Sequence, residues 1–328
     1  MVALSSDSLR IDARATAARI EEWIRTTVCN RLKRKGAVVA MSGGIDSSVV
    51  AALCARALGP QRVLGLLMPE ADCSAESRHL ALLMADLLGI STAIEDITPV
   101  LQALGCYRQR DEAIRTVVPQ YGAGYKSKIV LPSALEATEY PIFCVVVQSP
   151  TGEQIKARLT AAAYLGIVAS TNFKQRTRKM LEYYHADRLQ YAVAGTPNLL
   201  EFELGFFVKN GDGAADLKPI AHLYKTQVYQ LAEYFGVPAE IRHRPPTTDT
   251  YSLQQSQEEF YFSVPLEHMD LCLYARDHQI PAAAVAGAIG MTTKQVARVF
   301  AGIDSKRKVT RYLRSEPLHL EAQFSSAA

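Results

Sequence analysis

Residues 37–50 read AVVAMSGGIDSSVV. An apolar run stops at Ser42, Gly43 and Gly44, and Asp46, Ser47 and Ser48 then open a new apolar helical pattern. Each of these residue types suits a phosphate. Paired glycines let the backbone turn sharply and approach a ligand, a helix N-terminus attracts anions, and the serine hydroxyls can donate hydrogen bonds or cap the helix. Asp46 can hold a cation that neutralises phosphate charge. The bland alternative is a serine-rich turn of structural origin.

The loop lacks the Lys of a Walker A motif and the third Gly of a dinucleotide fingerprint, so the two commoner phosphate readings fail. SGGIDSS resembles instead the pyrophosphate loop of the ATP pyrophosphatases, which cleave ATP to AMP and pyrophosphate while activating a carboxylate or carbonyl as an adenylate. NAD, GMP and asparagine synthetases and several tRNA-modifying enzymes share that loop, and it does not choose among them.

Four later segments make the choice: GTPNLLE at 195–201, GFFVKNGDGAADLKPI at 205–220, LYKTQVYQLA at 223–232 and PPTTD at 245–249. In that order after SGGIDSS they resemble the NAD synthetase family, specifically its ammonia-dependent synthetase domain, over residues 15–100 and 155–310. The resemblance implies ATP-dependent amidation of deamido-NAD. The nicotinate carboxylate attacks the α-phosphorus of ATP to give an acyl-adenylate and pyrophosphate, and ammonia then displaces AMP. Both steps concentrate negative charge, so cations and preorganised donors supply the catalysis and no side-chain nucleophile is required.

By the same resemblance Asp46 and Glu201 stand at magnesium-binding positions, with Lys225 beside them as a catalytic cation. Ser42, Gly43, Gly44, Asp46, Ser47, Ser48, Thr196, Lys225 and Thr247 match ATP-contacting positions. Arg176, Lys209 and Asp216 align with deamido-NAD contacts, and Lys306 falls near a late His-Lys pair that closes over that substrate. Without the motif, Glu201 reads as a surface acid and Asp212 as the stabiliser of a Gly-rich turn. Three departures from the family pattern stand out. Pro197 follows the GT of GTPN, Ser305 replaces the late His, and the second strand ends in LLMPEAD without an arginine.

The elements that must position these residues follow from periodicity. Residues 8–34 read as an amphipathic helix, 37–41 as a buried strand, 62–68 as a strand, 75–88 as a helix ended by Gly89, and 91–97 as a strand. A helical pattern from 158 to 189 leads into a strand at 191–194, and 225–235 is again helical. This alternation predicts an α/β fold with a doubly wound parallel sheet, the Rossmann-like arrangement of the ATP pyrophosphatases, in which Gly195 faces the same crevice as Ser42–Ser48. Residues 106–150 break the pattern with two apolar runs, 128–131 and 142–148, and read as an inserted hairpin. It could be a lid carrying Lys126 and Lys128 to phosphates, an oligomer contact or a recognition element. The tail from 251 to 328 reads as a helical extension, with helices near 266–277, 282–289 and 293–301.

Composition narrows the classes further. A chain of 328 residues with 48% hydrophobic content can bury one large core, here expected as a single synthetase domain over 1–328. Only about forty residues precede the loop, where a glutaminase domain needs on the order of 100. Free ammonia, or ammonia from a separate glutaminase chain, is therefore the expected nitrogen source. A net charge of +3 does not by itself call for nucleic acid. No run reaches the roughly 20 apolar residues of a membrane span and there is no signal-peptide core, so a cytoplasmic location is expected. Six scattered cysteines without a Cys-x-x-Cys pair argue against sulfur transfer. The resemblance also implies a homodimer, Mg2+ as cofactor and ATP as co-substrate. Two rival readings remain at this level: the same chemistry on a different carboxylate, and a catalytically silent nucleotide-binding protein.

Overall fold

A computed structural model describes residues 4–131, 143–247, 250–262 and 264–318. Helix α1 (Ala13–Arg25), capped by Asp12, covers the core, and a π-helical turn at Thr26–Arg31 interrupts the single helix expected over 8–34. Strand β1 (Ala37–Ala40) is followed by α2 (Ile45–Leu58), β2 (Val63–Leu67), α3 (Ala75–Leu88) and β3 (Ser91–Ile94). Then come α4 (Thr98–Ala103), α5 (Cys106–Arg115), β4 (Lys126–Val130), β5 (Cys144–Gln148), β6 (Gln154–Arg158) and α6 (Ala161–Leu189). Strand β7 (Ala192–Ala194), α7 (Leu199–Leu204), α8 (Lys225–Tyr234) and α9 (Ala239–Arg242) precede three final helices, α10 (Leu266–Asp277), α11 (Ala282–Ile289) and α12 (Thr293–Arg314).

The expected parallel sheet is present, with strand order β3-β2-β1-β7. Ala37 pairs with Val63 on one side and Ala192 on the other. Both edges of β1 are thereby used and its residues Ala37–Val39 are completely buried, which is why the strand reads as an unbroken apolar run. Helix α2 behind it is buried everywhere except Asp46 and Arg56. Its hydrophobic residues fill the main core between α1, α3 and α8. Because β1 and β7 are neighbours, the loops at their C-terminal ends, 41–44 and 195–198, open into one crevice.

The inserted region is larger than a hairpin. Strands β4, β5 and β6 form a separate antiparallel sheet of order β4-β5-β6, and α5 packs along α6. The strand expected to start at 142 begins at Cys144, Ile142 lying outside the described residues. Strand β6 escaped a hydrophobic scan because its sequence, QIKAR, carries apolar residues on one half-exposed face only. Ile129, Val145, Val147 and Leu159 join Ile114, Ile167 and Tyr251 in a core of their own.

The last helix runs thirteen residues past the expected stop at Ala301. Gly302 suggests a stop, yet nothing lies within 4 Å of its Cβ position, and Ile303 and Thr310 remain buried beyond it. Arg307 and Arg314 both reach Glu203 of α7, which ties this helix to the element carrying Glu201. Among the described residues no helix is long and apolar enough to cross a membrane.

Candidate functional site

The end of β1 leads into a tight turn because Gly43 adopts φ +75°, and a Cβ there would lie 2.3 Å from the Ser77 carbonyl of α3. Only glycine fits that contact. Gly44 is the N-cap of α2, and having no side chain it leaves the first-turn N–H groups without a side-chain acceptor. Ser47 and Ser48 do not cap the helix as the sequence suggested. Their hydroxyls donate back to the Gly44 carbonyl at 3.0 and 2.9 Å, the normal reach from the first turn of a helix. Ser47 Oγ also lies 3.2 Å from Ser42 Oγ, so these two hydroxyls form the floor of the turn. Ser48 is completely buried.

A cleft of about 890 Å³ opens over this turn. Asp46 lines it and pairs through Oδ2 with Nζ of Lys225, while its Oδ1 accepts from Asn198 Nδ2 at 3.2 Å. Asn198 and Glu201 form the capping box of α7: the Glu201 N–H donates to Asn198 Oδ1, and the Asn198 N–H donates to Glu201 Oε2, each at 3.2 Å. The sequence carries that signal, Asn-x-x-Glu ahead of a short helix, although it did not show that Asn198 bridges the two carboxylates. Gln257 Nε2 donates to Glu201 Oε1 at 2.9 Å.

The electrostatics follow from burial. Loss of water raises the pKa of Glu201, with the Asp46 charge adding to the rise and Lys225 opposing it. Burial works against the Lys225 ammonium, but the Asp46 and Glu201 charges outweigh it and hold the pKa above the ordinary lysine value. Lys225 begins α8, whose first two N–H groups are accepted by the buried Asp270 of α10 at 3.2 and 2.7 Å. The C-terminal helices therefore fix the lysine on the cleft floor. Among the described residues no group of three or more His, Cys, Asp or Glu is arranged to hold a metal. Asp46 and Glu201 nonetheless suit one hard divalent cation: they are hydrogen-bonded to the same asparagine and carry like charges that burial leaves poorly solvated.

Ser42, Gly44, Asp46, Ser47, Thr196, Glu201, Lys225, Thr247, Arg176 and Lys209 all line this cleft. Gly43, Ser48, Asp216 and Lys306 are not among its lining residues. Asp216 accepts from the Val193 N–H at 2.8 Å and straps the chain to β7. Lys209 clamps the end of α12 by donating to the Tyr312 carbonyl at 2.9 Å. Neither Lys126 nor Lys128 lines the cleft, so the lid role open to the insertion finds no support from these lysines. Arg178 and Arg244 do line it; Arg178 belongs to the basic cluster 174–179, whose sequence suits either an anionic ligand or a solvated helix face, whereas Arg244 was not singled out. Arg178 reaches the Met68 carbonyl at 3.3 Å, which brings a guanidinium to the end of β2 from a different element. Arg244 donates to Ser77 Oγ at 2.9 Å. Asp212 also lines the cleft; burial raises its pKa, and it accepts from the Val208 N–H.

Lys306 lies against the Tyr261 ring, 4.1 Å from its centroid, and donates to the Tyr261 carbonyl. Burial pushes its pKa from 10.5 down to about 8. Between those values the unfolded chain holds the proton and the folded chain does not, so this group's contribution to stability rises with pH across the window and is lost as pH falls through it. The difference in Tm between the wild-type chain and Lys306→Met should therefore shift in favour of the wild type from pH 7.5 to pH 9.5. A difference independent of pH would show that Lys306 is not held this way.

The inserted sheet touches the cleft indirectly. Leu253 N–H donates to the Ser127 carbonyl at 3.1 Å, Ser127 N–H donates to Ser252 Oγ at 2.9 Å, and Gln255 Nε2 donates to the Ile129 carbonyl. Strand β4 thus holds residues 252–255, between Thr247 and Gln257. Beneath them Lys174 of α6, completely buried, donates to Glu70 Oε1 at 2.9 Å, Asp72 Oδ2 at 2.6 Å and the Thr250 carbonyl at 2.7 Å. Arg110 of α5 joins Asp72 at 2.6 Å.

The sequence profile described as NAD synthase matches residues 16–119 and 146–317. The chain belongs to the NAD synthase family. A relative from Rhizobium rhizogenes called NH(3)-dependent NAD(+) synthetase is 56% identical over 322 residues, covering 98% of this chain and 97% of the relative. Two solved structures share the fold. An NMN synthetase from Francisella tularensis superposes with a TM-score of 0.65 at 21% identity, over 96% of this chain and all of that one. An NH3-dependent NAD synthetase from Campylobacter jejuni gives 0.61 at 22% identity, over 95% of this chain and all of that one. Most of the inserted sheet lies at or beside the break in the family match, whereas α5 and β6 fall within the matched parts.

Proposed function

We propose that this chain amidates deamido-NAD to NAD with ammonia and ATP, through an acyl-adenylate and with release of AMP and pyrophosphate. The observation that carries this reading is the assembly of Asp46, Lys225 and Glu201 at the uncapped N-terminus of α2, in one cleft with the Ser42–Ser47 turn. The open N–H groups and serine hydroxyls bind the pyrophosphate leaving group, and Lys225 supplies a fixed positive charge beside it. Asp46 and Glu201 hold Mg2+, which when bound neutralises phosphate charge and polarises the α-phosphate. Thr196 and Thr247 donate hydroxyl hydrogen bonds to ATP, while Arg176 and Lys209 face the deamido-NAD side of the cleft. Asp216 and Lys306 act on deamido-NAD through the segments they brace. With no nucleophilic side chain involved, the protein contributes position and charge.

The whole chain acts as one synthetase domain, drawing on free ammonia or on a separate glutaminase, in the cytoplasm. A homodimer accords with Leu165, Met180 and Tyr184, all exposed along α6. The deciding experiment measures AMP and NAD from ATP, magnesium and deamido-NAD, with ammonium or glutamine as nitrogen donor. Equimolar NAD and AMP with ammonium alone is the expected result. AMP formation without NAD would redirect the reading to another carboxylate.

A further inference from the structure

Residue 257 stands apart from the motifs that carry the family resemblance, yet its side chain is 7% exposed, lines the cleft and touches a proposed metal-binding carboxylate. The amide orientation is set by chemistry. Its NH2 group faces Glu201 Oε1 at 2.9 Å, and once Glu201 is ionised, as cation binding requires, the flipped amide would set a carbonyl against a carboxylate. Oε1, the other atom of the same amide, has no hydrogen-bond partner among the described residues. A buried carbonyl left in this state is destabilising, so a function is the natural explanation for its survival.

We propose that Gln257 supplies, through its side-chain oxygen, a third protein ligand to the divalent cation held by Asp46 and Glu201. The inference rests on the reading of those two residues as the cation site. An amide oxygen is a hard, neutral donor. It raises the ligand count without adding a third negative charge to a site that already holds two. Being shielded from solvent, it meets a cation without first giving up a water. Its position is set by the chain around it: Gln257 N–H donates to the Pro246 carbonyl at 2.9 Å, Thr247 bridges to Ser256, and β4 holds residues 252–255.

The test uses Mn2+ as the probe, titrated by its electron paramagnetic resonance signal into the full chain with a non-hydrolysable α,β-methylene ATP. Gln257→Ala should weaken Mn2+ binding about tenfold and raise the number of metal-bound waters by one, read from line broadening in 17O-water. Gln257→Glu, which keeps an oxygen but loses the donor to Glu201, should bind Mn2+ at least as tightly as the wild type. Mn2+ affinity within twofold of wild type in Gln257→Ala, or a loss in Gln257→Glu equal to that in Gln257→Ala, would overturn the proposal. Asp46→Asn separates the two layers of inference. If Mn2+ affinity is unchanged in that variant too, the cation site itself is misassigned; if only Gln257→Ala leaves it unchanged, the site stands and Gln257 is not part of it.

Discussion

Asp46→Asn is expected to remain folded while forming AMP from ATP at least about a thousandfold more slowly. The substitution keeps the shape of the side chain but removes a negative charge that contacts Lys225 directly and Asn198 through Oδ1. A neutral amide binds a divalent cation weakly, and it no longer balances the buried ammonium where phosphate charge develops. The fold should tolerate the change because Asp46 lies on the open first turn of α2 and Glu201 remains to face Lys225. AMP release measured beside a thermal melt checks both halves. Turnover equal to that of the wild type would remove Asp46 from the site.

Lys174→Met should have the largest effect on stability. Its ammonium is the shared partner of Glu70, Asp72 and the Thr250 carbonyl, and the side chain is fully buried. Removing it strands two carboxylates with Arg110 as their remaining cation, a type of change that costs about 3–5 kcal/mol. A loss of Tm of about 4–7 °C follows for a chain of this size. Because Thr250 lies between Thr247 and the segment held by β4, the KM for ATP should also rise more than kcat falls. Adding Glu70→Gln should recover part of the stability by lowering the stranded charge. A melt within 2 °C of wild type for the single variant would show that the cluster contributes little.

Much of this architecture was legible because burial leaves a plain mark on composition. The apolar run before Ser42 and the Gly89 stop each identify an element through a local rule, and the parallel sheet follows from the alternation of strands and helices. The phosphate turn and the two carboxylates were legible through motif order. What periodicity could not show was anything decided by distant partners. Gln257 looks like an ordinary polar residue until Glu201 is seen beside it, and Lys174 looks like part of a basic cluster until Glu70 and Asp72 enclose it. Lys306 was named by the resemblance, and only the fold shows that its ammonium donates to the Tyr261 carbonyl. The second half of α12 was missed because its stabilising contacts lie across the molecule, and β6 because its apolar residues occupy one half-exposed face.

Helix α6 has 29 residues and so spans about 43 Å. Its first turns lie in the core beneath the inserted sheet, its middle forms one wall of the cleft, and its last turns cover the parallel sheet. Its interior contains no proline to act as a joint, so in mechanical terms it is a strut. The spacing between the two cores is fixed by its length, and neither can tilt without carrying the other. Opening and closing around a substrate must then come from the remaining wall, which includes residues 205–210 and 245–247. Labels placed on that wall, rather than along α6, would report the motion.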